Sequence, residues 1–223
     1  HFLFPPHASS LPPLSLLTCA EMSVFYQHCV DTLGWDLDAT LLSSMQEDNA
    51  KELAEIEAKM IKAKEDEGET EMMDANIAKC DMMYRIGRKD EALAVIKEAL
   101  VGKHVSTGQK IDLELKCIRI AMFHNDTELL KEHIELARAL IEQGGDWDRR
   151  NRLKVFDGAY RMMVRDFTAA AKNFMSSIAT FTSYEVMEYK TFIQRTVYLS
   201  LYQLPRSEMK EKIIDSPDVR QVV

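Results

Sequence analysis

Residues 158–178, GAYRMMVRDFTAAAKNFMSSI, decide the fold. Gly158, Ala170, Phe174 and Ile178 stand at offsets of twelve, four and four. Steps of four put Ala170, Phe174 and Ile178 on one face of a helix. The step of twelve leaves room for the end of a preceding helix and a corner. Gly158 and Ala170 are the small positions of such a pair of helices, the Ala letting the second helix approach closely, and Phe174 and Ile178 are its aromatic and last core positions. The stretch reads as a helical hairpin.

Two further copies lie upstream. In RIGRKDEALAVIKEAL, Gly87 is followed by Ala92, Ile96, Ala99 and Leu100 at helical spacing. In IDLELKCIRIAMFHNDTELLKEHIELARAL, Leu130, Ile134 and Ala137 take the corresponding places of a weaker copy. Ala92, Leu130 and Ala170 are 38 and 40 residues apart. Small and large positions in this order resemble the tetratricopeptide repeat, in which each hairpin leaves an apolar face that only its neighbours cover. The predicted fold is all-α: a right-handed α-solenoid of tetratricopeptide-like hairpins, whose packing residues are Gly87, Ala92, Ile96, Leu130, Ile134, Gly158, Ala170 and Phe174.

The surrounding sequence agrees with a helical reading. Only 8 Gly and 6 Pro occur in 223 residues, and 46% of residues are hydrophobic. Residues 22–72 are read as N-terminal helices. Val24, Phe25, His28, Cys29, Thr32 and Leu33 would share one face of the first, with Gly34 as its stop, and Asp38 would open a long charged helix. Residues 73–204 are read as the repeats. The Pro-rich start, 1–21, is expected to be a disordered or non-native extension, and 205–223 a short polar tail.

The formal net charge is -8, and residues 47–74 carry 11 acidic and 4 basic side chains. This acidity argues against nucleic acid as a partner, because binding to phosphates needs a basic footprint. No stretch approaches the ~20 apolar residues of a membrane span. Cys19, Cys29, Cys80 and Cys117 show no CxxC spacing, which favours packed, reduced thiols. The six histidines show no paired-ligand spacing, so no metal and no cofactor are expected. No nucleophile elbow or phosphate-binding Gly loop occurs, and neither an enzyme nor a small-molecule substrate is expected.

One corner is denser than a turn requires. Residues 144–155, GGDWDRRNRLKV, pair two glycines able to close a helix in the left-handed conformation with Asp146 and Asp148, either of which could cap the next. Asp146, Trp147, Asp148, Arg149, Arg150 and Arg152 are the candidate interaction residues. Trp and Arg are enriched at interface hot spots, the one for its rigid area and the other for its planar fork of donors. The plain alternative is a capped corner whose arginines pair with nearby acids.

GGDWDRRNRLKVFDGAYRMMVRDFTAAAKNF, followed by TFTSYEVMEYKTF, resembles the PCI-family lid subunits of the 26S proteasome regulatory particle. The likeness runs from about Met22 through Lys212. It implies a noncatalytic scaffold that packs against other lid subunits and the ATPase ring, supports ATP-dependent degradation of ubiquitinated proteins, and resides in cytoplasm and nucleus. The family continues into a winged-helix PCI domain, for which 205–223 is expected to hold no counterpart. The other function considered is a free-standing helical-repeat adaptor that binds peptides in its groove.

Overall fold

The computed structural model describes residues 17, 21–66, 68–100 and 105–222. The extension read into residues 1–21 therefore lies, except for Leu17 and Glu21, outside the described residues, as do His1, His7, Cys19 and His104. All regular structure among the described residues is helical. It falls into two compact units, divided between Val105 and Ser106, inside the stretch read as repeats.

The first unit holds α1 (Ser23–Leu33), α2 (Ala39–Glu65), α3 (Glu69–Ile86) and α4 (Lys89–Leu100). Gly34, at φ 67°, closes α1 with its N–H on the Val30 carbonyl. Asp38 opens α2, its carboxylate accepting from the Thr40 and Leu41 N–H groups at 3.1 Å each. Along 27 residues α2 buries only Met45, Asn49, Ile56 and Ala63, a single stripe at spacings of four and seven, and it packs on α3. The inner face of α1 differs from the sequence reading. Ser23, Tyr26 and Cys29 are buried, whereas Val24 and Leu33 are exposed. The physical reason is the Tyr26 hydroxyl, which accepts from the Asp38 N–H at 3.0 Å; burying the ring lets its polar tip pin the start of α2.

The second unit holds α5 (Thr107–Phe123), α6 (Thr127–Gly144), α7 (Trp147–Met163), α8 (Phe167–Met175), α9 (Tyr189–Gln203), α10 (Arg206–Met209) and α11 (Pro217–Arg220). Helices adjacent in the chain pack on one another from α5 through α9. Helix α5 begins with a capping box between Ser106 and Gln109 and buries Ile111, Leu113, Leu115, Cys117, Ile118, Ile120 and Ala121. The stretch read as a short tail contributes to the same core. After α10 the backbone continues as a π-helical turn over Lys210–Ile214, and Ile213 and Val219 are buried.

The repeat is visible in the backbone. Gly87, Asn125 and Arg165 all have positive φ, of 94°, 54° and 63°. In each case the next residue's N–H bonds a carbonyl five residues back: Arg88 to Met83 at 2.9 Å, Asp126 to Ala121 at 3.0 Å, Asp166 to Arg161 at 2.8 Å. This is the Schellman closure of a helix. The three left-handed residues stand five positions before Ala92, Leu130 and Ala170 and so share their spacing of 38 and 40. Asp126 and Asp166 then cap α6 and α8 through the N–H groups of Leu129 and Ala169. The fold is all-α and of solenoid type, with hairpins packing in chain order within each unit.

Ala92, Leu130, Ala170 and Phe174 are fully buried, and Ile96 and Ile134 nearly so. Gly158 is where α7 meets α8. A Cβ there would lie 2.4 Å from Phe174 Cε1, so only glycine admits the ring.

Candidate interaction corner

The corner begins where α6 ends. Gly144 has φ 152°, a value that favours glycine, but Gly145 sits in ordinary extended backbone at φ -70° and ψ 140°. The left-handed conformation read for both glycines is thus taken by Gly144 alone. Gly145 is required for a steric reason, since a Cβ would meet Ile141 Cα at 2.7 Å. Of the two candidate caps it is Asp146 that starts α7, accepting from the Arg149 N–H at 2.9 Å. That backbone bond, with the Arg149 guanidinium beside it, holds the Asp146 carboxyl below its ordinary value. Asp148 instead accepts from the Thr182 hydroxyl at 3.1 Å.

The arginines divide by helical phase. Arg149 and Arg152, one turn apart, face α5 and share Asp112. Arg149 binds it with Nε at 3.1 Å and a terminal nitrogen at 2.5 Å, and also pairs with Asp146. Its two-pronged bond to Asp112 holds the already basic guanidinium further towards its charged form. Arg152 reaches Asp112 at 3.2 Å and Glu185 at 3.1 and 2.7 Å. Gly108 on α5 makes room for this, for a Cβ would stand 3.1 Å from the Arg149 guanidinium carbon.

Arg150 and Trp147 point elsewhere. Arg150 is exposed and has no side-chain partner among the described residues, and Trp147 is 64% exposed. The six candidate residues thus form two groups. Asp146, Asp148, Arg149 and Arg152 tie α7 to α5 and to the segment before α9, while Trp147 and Arg150 are displayed. A large aromatic surface beside an unpaired guanidinium can bury area and donate hydrogen bonds to a partner, with no reacting group converging on it.

A second constellation escaped the sequence reading. His133 Nδ1 on α6 lies 2.6 Å from Glu114 Oε2 on α5, and donor atoms of Glu114, Cys117 and His133 all fall within 4.8 Å of one another. All three residues are buried. The local signal was Glu-x-x-Cys on an otherwise apolar helix; the third member comes from the next helix, at a spacing no short motif describes. The first unit contains a groove of about 570 Å³ between α1, α2 and α3, lined in part by His28, Asn49, Leu53, Met82 and Arg88.

Paired helices, glycine-mediated approach and a displayed aromatic corner define a helical-repeat protein of tetratricopeptide-like hairpins. Residues 38–212 match the family model described as 26S proteasome subunit RPN7, and the chain belongs to that family. It is 40% identical over 210 residues to the 26S proteasome non-ATPase regulatory subunit 6 homolog of Arabidopsis thaliana, covering 94% of this chain and 54% of that protein. It is 38% identical over 203 residues to the non-ATPase regulatory subunit 6 of Dictyostelium discoideum, covering 91% and 53%. Against the regulatory subunit RPN7 of Saccharomyces cerevisiae it is 37% identical over 187 residues, covering 83% and 43%. The chain thus spans about half the length of these relatives.

Proposed function

We propose that this chain acts as a noncatalytic structural subunit of the 26S proteasome regulatory particle. In this reading it belongs to the lid, meets other lid subunits and the ATPase ring, and supports the assembly needed for ATP-dependent degradation of ubiquitinated proteins in cytoplasm and nucleus. Nucleic acid, membrane and small molecules are not its partners. Family membership over residues 38–212 carries the reading, and the free side chains of Trp147 and Arg150 supply a contact surface suited to it. No helix of the described residues is long and apolar enough to cross a membrane.

The test is incorporation. The tagged chain, expressed beside a full-length relative, is expected to co-sediment with intact proteasome at physiological salt. Recovery of the full-length relative in particles while this chain sediments alone would refute the assignment. A second reading, a peptide-binding adaptor, is favoured by the 570 Å³ groove of the first unit. It requires measurable affinity for short peptides, lost when Leu53 at the groove wall is replaced by a charged residue.

A further inference from the structure

The structure assigns a zinc-type metal site to Glu114, Cys117 and His133, between α5 and α6. Glu114 and Cys117 are three residues apart on α5 and so lie on one face, and His133 approaches from α6. Relative exposures of 5%, 1% and 6% place the cluster inside the core of the second unit, where Ile111, Leu115, Ile118 and Leu130 also lie.

Charge is the first argument. The buried Glu114 carboxyl is paired with His133 at 2.6 Å when the imidazole is protonated, and a divalent cation drawn in with the nearby Cys117 sulfur would compensate the same charge. A divalent ion bound by a carboxylate, a thiolate and a neutral imidazole forms a unit of zero net charge. Chemistry is the second. Sulfur and imidazole nitrogen select zinc, or cobalt in its place, over calcium and magnesium, which take oxygen. Geometry is the third. Ligand atoms around tetrahedral zinc lie roughly 3.4 Å apart, as bond lengths of about 2.0 to 2.3 Å require. Glu114 Oε2 and His133 Nδ1 stand 2.6 Å apart and the donor atoms of all three residues fall within 4.8 Å of one another, close to that spacing. Binding releases the Cys117 thiol proton to solvent, and a proton held between His133 Nδ1 and Glu114 goes to solvent or to Nε2 of the same ring, which frees the Nδ1 lone pair for the metal. The three buried ligands would clasp the hairpin, with a water completing the tetrahedral shell. This inference is independent of proteasome assembly.

The experiment uses the whole chain, stripped with chelator and titrated with cobalt(II) and then zinc(II). One equivalent of cobalt is expected to give a thiolate-to-metal charge-transfer band, with zinc displacing it at a dissociation constant below about 1 μM. Cys117→Ala should abolish the band. Glu114→Gln, which leaves His133 a hydrogen-bond partner, should keep the band and weaken binding at least about tenfold. X-ray absorption of zinc-loaded wild type, which depends on no variant folding, should show one sulfur ligand with nitrogen and oxygen making up the rest. A folded wild type without the band overturns the assignment. So does a band that survives Cys117→Ala, or a metal shell with no sulfur or several.

Discussion

Arg149 grips Asp112 with two bonds, 3.1 and 2.5 Å long, between residues 37 positions apart in the chain. Arg152 meets the same carboxylate at 3.2 Å, so one acidic side chain on α5 fixes two successive turns on one face of α7. Forked arginine–carboxylate pairs hold geometry better than single-point pairs, and this one is only partly open to solvent. Asp112→Ala is therefore expected to lower the unfolding free energy of the second unit by roughly 1 to 2 kcal/mol in urea titrations, leaving both guanidinium groups underused. Arg150→Ala, which removes an exposed side chain without a partner, should stay within about 0.5 kcal/mol. Equal effects of the two substitutions would contradict this division of roles.

Trp147 presents the opposite case. At 64% exposure its ring supports little of the core, so Trp147→Ala should leave helix content and the midpoint of unfolding nearly unchanged. If the corner is an interface, recovery of the chain with proteasome particles should fall by at least about tenfold, as for a hot-spot residue. Loss of helix content together with binding would return Trp147 to a structural role.

Gly158 leaves no space for a methyl group. Gly158→Ala would drive a Cβ to 2.4 Å from a Phe174 ring that itself packs on Phe192, with ring centroids 5.0 Å apart. Overpacking of about 1 to 3 kcal/mol is expected, read by denaturant melts. Combining it with Phe174→Leu should recover part of the loss, because the two changes share one space.

Asp146 gives a pH dependence of known sign. Its folded pKa lies below the ordinary aspartate value of 3.8, chiefly because the carboxylate accepts the Arg149 N–H. Its contribution is then fully present above pH 3.8 and fades as pH falls through the lower folded value. Asp146→Asn keeps a capping side chain but cannot ionise. The stability difference between wild type and Asp146→Asn should therefore be flat from pH 5 to 7 and shrink in more acidic melts, as those pH values sit above and then below about 4.

Much of the architecture was legible because it repeats. Gly87, Ala92 and Ile96 announce a corner and a helix face within ten residues, and Gly158 with Ala170 and Phe174 does so again. The corner at Asn125 was harder to see, since a non-glycine residue takes the left-handed conformation there. On α1 the periodicity placed Phe25 and Cys29 against the core but missed that Val24, His28 and Leu33 are exposed, because hydrophobic spacing carries no record of where the Tyr26 hydroxyl finds its partner. The arginines of the corner could be counted but not sorted. Which of them turn inward depends on Asp112 and Glu185, residues remote in sequence and brought close only by packing. Glu114, Cys117 and His133 were opaque for the same reason.

Gly108 extends the corner into a helix that the motif GGDWDRR does not mention. With a Cβ there only 3.1 Å from a guanidinium anchored to two acids, a side chain at 108 requires Arg149 to give by a few tenths of an ångström against both anchors. Positions 108 and 149 should consequently covary among relatives: where 108 acquires a side chain, 149 should shorten or lose its charge, and Asp112 should change with it. The corner then evolves as a unit of three positions across two helices, while Arg150 between them drifts with whatever it meets outside.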